Sequence, residues 1–117
     1  TTNDKTVEKT KEELQKEGFA KLTEIDVKAT LKKKLDVEYD NYIILGACSP
    51  PFAYQALEAE KDIGLLLPCN IIVYEHSDST FISAILPTVA MNMVENENLR
   101  SIAEQVEEKL KRVIDNI

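Results

Sequence analysis

The feature that most constrains the fold of this 117-residue chain is a pair of apolar segments separated by a short polar turn. The segments cover residues 69–75 and 80–86, and the turn between them is His76-Ser77-Asp78-Ser79. Residues in the second segment alternate between two sets of side chains, as in a strand with one buried face. Two strands joined by so short a turn can only be antiparallel. The sequence therefore predicts a β-hairpin within an antiparallel sheet.

Capping residues and apolar spacing predict the remaining elements. The last helix, over about residues 96–116, has the strongest pattern, because its apolar residues recur with helical periodicity without a break. The predicted strands before the hairpin are one over 19–25 and one over 42–48, the second buried on both faces or nearly so. The other predicted helices are one with its N-cap at Asn3 or Asp4 that stops at Gly18, a short one capped by Asp26, and one capped by the Ser49 hydroxyl with Pro50 in its first turn. Residues 88–94 have no assigned element. This order predicts an α+β fold, in which helices pack on one face of the antiparallel sheet and a long C-terminal helix comes last.

Length and composition limit the classes of function. A chain of this length predicts a single domain over residues 1–117. The net charge of −7 argues against nucleic-acid binding, which depends on basic side chains that neutralise phosphates. The longest nearly apolar run holds 12 residues and is interrupted, whereas a membrane span needs about 20, so we expect no membrane span. The N-terminus has no apolar stretch typical of a signal peptide, and two cysteines are too few for a disulfide scaffold; together they predict a cytoplasmic protein.

The candidate site consists of the two cysteines and their neighbours. Cys48 ends a predicted strand and is followed by Ser49 and Pro50, while Pro68 and Cys69 open the first strand of the hairpin. A thiol close to a helix N-terminus is expected to have a lowered pKa, so we expect Cys48 to favour the thiolate. If the two strands are neighbours, the two sulfur atoms approach each other.

Four interpretations of this cysteine site stay open. Cys48 and Cys69 are candidate ligands of zinc or copper, whereas His76 lies roughly 20 Å along an extended strand from Cys69, so we do not expect it to bind the same metal. The two thiols could form a reversible disulfide, which needs Cα atoms within about 7 Å. The helix N-terminus and Cys48 could form the floor of a small-molecule pocket. In the fourth interpretation both cysteines are small buried residues without a chemical role.

Two motifs and their spacing resemble a known family. The string Gly46-x-Cys48-x-Pro50-x-x-Ala53, followed by Gly64-x-Leu66-Leu67-Pro68-Cys69 ahead of a strand, resembles the domain of unknown function 302 family, as do Gly18-Phe19 and Ile25-Asp26. The resemblance covers nearly the whole chain. It implies a small α+β fold similar to the TATA-binding-protein arrangement, and it implies a homodimer. Members of the family usually carry a strand before the first helix, which this sequence lacks or reduces to Thr1-Thr2.

These observations predict a class of function and no particular reaction. The leading hypothesis is a binding or thiol-sensing module for a small ligand or a soft metal, centred on Cys48, Ser49, Pro50, Pro68 and Cys69. The first alternative is an enzyme that uses Cys48 as a thiol nucleophile. The second alternative is a purely structural or interaction domain.

Overall fold

A computed structural model describes residues 2–117, with side chains from residue 4 onward. Short 3-10 helices cover Lys61–Leu66 and Met91–Met93. The principal elements are, in chain order, α1 (Thr2–Lys16), β1 (Ala20–Asp26), α2 (Val27–Leu35), β2 (Tyr42–Cys48), α3 (Pro50–Ala59), β3 (Cys69–His76), β4 (Ser79–Ala84), α4 (Pro87–Ala90) and α5 (Glu97–Asp115). The predicted α+β class is confirmed. No helix among the described residues is long and apolar enough to cross a membrane.

The four strands form one antiparallel sheet in the order β1-β2-β3-β4, so each strand pairs with its neighbour in sequence. The register aligns residues from different strands into rows across the sheet. A bulge between Lys21 and Thr23 interrupts the pairing of β1 with β2 and leaves Leu22 without a partner in the register. Because side chains alternate along a strand, successive rows face opposite sides of the sheet.

Helices cover one face of the sheet, which we call the covered face. Its rows contain Leu45 beside Ile71 and Ala47 beside Cys69, and none of these four side chains is more than 7% exposed. The core cluster includes Leu14 of α1, Ala56 of α3 and the apolar stripe of α5. That stripe consists of Leu99, Ile102, Ala103, Val106, Leu110 and Val113, all buried, as the periodicity predicts.

The hairpin between β3 and β4 is tighter than the sequence predicts. The turn consists of Ser77 and Asp78, which have φ angles of 50° and 64°, so the strands extend to His76 and Ser79. Two consecutive residues with positive φ match the right-handed twist of the strands that they connect. The predicted four-residue turn was therefore too long by one residue at each end.

The first and last helices are tied together near Glu17. The ammonium group of Lys109 donates a hydrogen bond to the Glu17 carbonyl oxygen at 3.3 Å, and Arg112 Nε donates to a Glu17 carboxylate oxygen at 3.0 Å. Gly18 follows with φ of 84°, the left-handed conformation that commonly ends a helix. The ends of the chain thus belong to the same helical layer.

Several predicted boundaries differ from the structure. Helix α1 already includes Asn3 and Asp4, which were predicted as N-caps, because it begins at Thr2. Strand β1 begins and ends one residue later than predicted. Of residues 88–94, which had no predicted element, 88–93 lie in α4 and the second 3-10 helix, and Val94 follows that helix as its C-cap. In contrast, Asp26 caps α2 as predicted, since its Oδ1 accepts a hydrogen bond from the Ala29 N–H at 2.9 Å.

Candidate functional site

The cysteine corner lies where β2 ends, α3 begins and β3 starts. Cys48 is the last residue of β2, and Cys69 is the first residue of β3. Both cysteines are free thiols, with Cys48 half-buried and Cys69 only 7% exposed. The structure therefore places the predicted residues in one corner of the molecule.

The register does not bring the two thiols together as a pair. The partner of Cys69 on the neighbouring strand is Ala47, and both lie on the covered face. Cys48 is one residue further along β2, where strand alternation directs its side chain to the opposite side. The expectation that the sulfur atoms approach each other is therefore not confirmed, and a shift of one residue is the reason.

Burial, rather than the helix N-terminus, controls the acidity of the two thiols. It raises the pKa of the Cys48 thiol above its ordinary value of 9.0. It also raises the pKa of Cys69 to about 11, with a smaller contribution from nearby Cys48. The expected lowering of the Cys48 pKa is therefore wrong. Near neutral pH both groups are protonated, which disfavours nucleophilic attack and metal ligation.

Two consecutive prolines explain why α3 presents a poor anion site. Ser49 is the N-cap residue by its backbone conformation, yet its side chain makes no capping hydrogen bond. A cap side chain accepts from the second or third residue of the helix, and Pro51 has no N–H to donate. Pro50 also lacks an N–H. The first turn therefore offers fewer donors than an anion at a helix N-terminus requires.

The space beside the corner is small. The cavity bordered by Cys48, Ser49 and Cys69 has a volume of about 20 Å³, and its other walls are apolar side chains such as Phe52 and Met91. Ligand pockets usually measure about 300–1,000 Å³. The cavity is the size of about one water molecule, so a small organic ligand would have to displace its walls.

The described residues contain no group of three or more His, Cys, Asp and Glu side chains that could hold a metal ion. His76 ends β3, at the opposite end of the strand from Cys69. A metal held by Cys48 and Cys69 would need further ligands from outside this set, because zinc sites commonly use four.

A second candidate site, which the sequence did not predict, lies on the side of the sheet away from the core. We call this side the open face. One of its rows joins Ile25, Ile44, Ile72 and Ser83 across all four strands, and another joins Tyr42, Tyr74 and Phe81. Ile25 and Phe81 are 47% and 43% exposed. One signal in the sequence could have revealed the open face. Large apolar residues occur at both odd and even positions of β2 and β3, so they point to both faces of the sheet.

The aromatic row of the open face is ordered. The rings of Tyr42 and Tyr74 stack with centroids 5.3 Å apart, and those of Tyr74 and Phe81 stack at the same distance. Tyr39, in the loop before β2, extends the row with a centroid 6.4 Å from that of Tyr42. Cross-strand aromatic pairs stabilise a sheet, and here they also give the open face a firm apolar surface.

Comparison with known proteins decides the family. The sequence profile described as Domain of unknown function DUF302 matches residues 1–117. The chain belongs to the DUF302 family. This confirms the resemblance that the two cysteine motifs indicated.

A solved DUF302 structure shows the same fold. The crystal structure of an uncharacterized conserved protein DUF302 from Bacillus stearothermophilus is 30% identical in sequence, with a TM-score of 0.92. The alignment covers 99% of this chain and 91% of that chain. A search of curated proteins finds no match. Membership of the DUF302 family therefore establishes the fold, but it does not identify an activity.

Proposed function

We propose that this protein is a binding module, and that the open face is the surface with which it recognises a protein partner. The observation that carries this proposal is the exposure of a continuous set of large apolar side chains on a folded sheet. Of the open-face residues in the sheet register, Gly46 alone is buried among the described residues. Exposed apolar surfaces of this kind are typical of interaction sites.

The composition of the open face supports a protein partner. Its rows contain isoleucine, tyrosine, phenylalanine, threonine, serine and asparagine, together with Ala20, Gly46, Cys48 and His76, and no Lys, Arg, Asp or Glu. Charged residues make up 30% of the whole chain, so their absence from these rows is informative. The centres of protein interfaces are depleted in charged residues and enriched in aromatic ones, as these rows are.

Placing a photoreactive amino acid on the open face tests this proposal. Benzoylphenylalanine at position 81 replaces an exposed aromatic residue of the face, and the same replacement at Tyr54 provides the control. Tyr54 is 67% exposed on α3, away from the open face. On irradiation of cells that produce the protein, we expect a covalent adduct from position 81 and several-fold less from position 54. Failure to obtain an adduct from position 81, with the labelled protein folded, would reject the proposal.

A second candidate function is thiol sensing or soft-metal binding at the cysteine corner. It is supported by Ser49, which is only 8% exposed and whose hydroxyl makes no hydrogen bond within residues 4–117. An unpaired buried hydroxyl next to Cys48 in the chain could contact a small ligand, or zinc or copper with additional ligands. The raised pKa of Cys48 weighs against its use as an enzyme nucleophile.

Thiol chemistry distinguishes this second candidate. We expect a sensor thiol to react with iodoacetamide in the folded protein, and zinc or copper(I) to protect it. Cys48→Ser and Cys69→Ser variants assign the reacting group. If neither thiol reacts until the protein is unfolded, and neither metal is bound, the cysteine corner is purely structural.

A further inference from the structure

The two edge strands of the sheet differ in how they are protected against pairing with another chain. Strand β1 carries Lys21, Glu24 and Asp26 and has a bulge after Lys21, and charged side chains and bulges both discourage pairing at an edge. Strand β4 (Ser79–Ala84) contains neither a charged residue nor a proline, and its pairing with β3 is regular. The β4 edge is therefore suited to pairing with a further extended segment.

The backbone groups on the outer side of β4 have no strand to pair with. Strand β4 ends the sheet, so β3 is its one neighbour among the described strands. The Ile85 N–H donates to the Asn70 carbonyl oxygen at 3.1 Å, which makes these residues a hydrogen-bonded pair. Such pairs alternate with non-hydrogen-bonded ones along an antiparallel ladder, so the N–H and C=O groups of Thr80, Ile82 and Ala84 point away from β3.

A groove lies beside this edge, between the end of β4 and the last turns of α5. Its first wall is the chain over residues 83–86, and its volume of about 380 Å³ lies within the usual range of about 300–1,000 Å³ for ligand pockets. Leu86 in that wall is 48% exposed. The second wall is one stripe of α5, which consists of Glu107, Leu110, Lys111, Ile114 and Asp115. We call this space the edge groove, and it is large enough to receive an apolar side chain.

We propose that β4 and the edge groove bind an extended peptide segment of another protein, which adds to the sheet as a fifth strand. The backbone of the peptide pairs with the outward groups of Thr80, Ile82 and Ala84. Its side chains alternate, and those on the same side as Ala84 enter the edge groove, against Leu110 and Ile114. This inference goes beyond the proposed function, because the strand edge is a different surface from the open face.

Charge indicates that the bound peptide is basic. Glu107 already accepts a hydrogen bond from the Thr88 hydroxyl at 2.7 Å and lies 3.9 Å from the Lys111 ammonium group. Asp115 is exposed at the rim of the groove and forms no ion pair within residues 4–117. A lysine or arginine next to the apolar residue of the peptide would complement this carboxylate. A second copy of the chain would instead bring the same net charge of −7.

Selection from a phage-displayed library of random peptides, with the purified full chain as bait, tests this inference. We expect enrichment of peptides that carry an apolar residue flanked by lysine or arginine. Fluorescence anisotropy of a selected synthetic peptide should show about five-fold weaker binding to Asp115→Lys than to wild type, because the charge at an exposed rim is reversed.

Asp62→Lys is the matched control, since it makes the same change at an exposed aspartate of the first 3-10 helix, outside the edge groove. Its affinity for the peptide should equal that of wild type. Circular dichroism checks that both variants remain folded. Equal binding to Asp115→Lys and wild type would overturn the assignment of a basic partner.

Amide hydrogen exchange distinguishes strand addition from contact through side chains alone. Bound peptide should slow exchange of the Thr80, Ile82 and Ala84 N–H groups by about ten-fold or more, because these groups gain a hydrogen bond. The N–H groups of Phe81 and Ser83 pair with β3 in the free protein, so their exchange should change much less. This alternation along one strand is the signature of an added neighbour.

Two results would overturn the inference as a whole. One is a selection that enriches no peptide, or a bound peptide that leaves all three outward amides unprotected. The other is protection of these amides in the purified chain alone that is lost on dilution, which would show that a second copy occupies the edge. The photo-adduct from position 81 tests the open face separately, so the proposed function and this inference can fail independently.

Discussion

Leu45 and Ile44 are neighbours on the same strand, yet Leu45 has no exposed surface and Ile44 is only half-buried. The covered face receives α1, α3 and α5, whereas the isoleucine and aromatic rows of the open face stay accessible to solvent. Both faces are apolar at their centre. Both faces of the sheet are therefore apolar enough to be buried, but the helices of this chain bury only one of them.

The largest expected difference between the two faces is in the stability of the fold. Leu45→Ala should lower the free energy of unfolding by about 3–4 kcal/mol, because it removes buried methyl groups and leaves a cavity. Ile44→Ala should lower it by about 1 kcal/mol, since that side chain is only partly removed from water. Urea denaturation of both variants at one fixed protein concentration measures the difference. Equal losses would mean that the open face is as well packed as the covered face.

The next effect concerns pH and the covered-face thiol of Cys69. Folding raises its pKa from 9.0 to about 11, so the unfolded chain loses this proton first as the pH rises. The neutral Cys69 thiol therefore contributes about 2–3 kcal/mol to the free energy of unfolding at pH values below 9. This contribution is lost as the pH rises from 9 through 11.

The variant Cys69→Ala isolates this effect from other groups that ionise in the same range. We expect its free energy of unfolding to fall less steeply than that of wild type between pH 9 and pH 11. Cys48→Ala serves as the control, because Cys48 is less buried and should contribute a smaller slope. Parallel stability curves for wild type and Cys69→Ala would contradict the assignment.

The smallest effect concerns β1 and α2, which contain no buried residue. Asp26→Ala removes the cap of α2 and should cost about 1 kcal/mol, whereas Asp26→Asn should retain most of it. Helix α2 has no buried residue, so the loss of its cap should stay local. In Asp26→Ala we therefore expect faster amide hydrogen exchange within α2 than in wild type, and unchanged exchange in β2 and β3. A loss of protection across the whole sheet would show that α2 is an integral part of the core.

Local patterns in the sequence predicted most of the elements. Strand β2 lies at Tyr42–Cys48 as predicted, and α5 differs by one residue at each end, because capping and periodicity act over a few neighbouring residues. The turn was less predictable. Ser77 and Asp78 both adopt positive φ without the Asn-Gly signature that usually reveals such a turn.

The sites depend on pairing between distant residues, which a single sequence does not specify. Cys48 and Cys69 lie at one corner of the sheet, but a register that pairs Cys69 with Ala47 directs Cys48 to the other side of the sheet. The predicted acidity of Cys48 failed because burial depends on the assembled core. The row of Ile25, Ile44 and Ile72 draws on three separate strands, so its continuity becomes visible only after they pair.

The contacts of Lys109 and Arg112 with Glu17 have a consequence for biosynthesis. These bonds connect residues 92 and 95 positions apart, so α1 must wait for α5 to leave the ribosome before these contacts form. Folding domains of this size generally complete as units, and non-local contacts slow them. The core of this protein therefore closes only after α5 has been synthesised, and until then the apolar side of α1 must remain without its final partner.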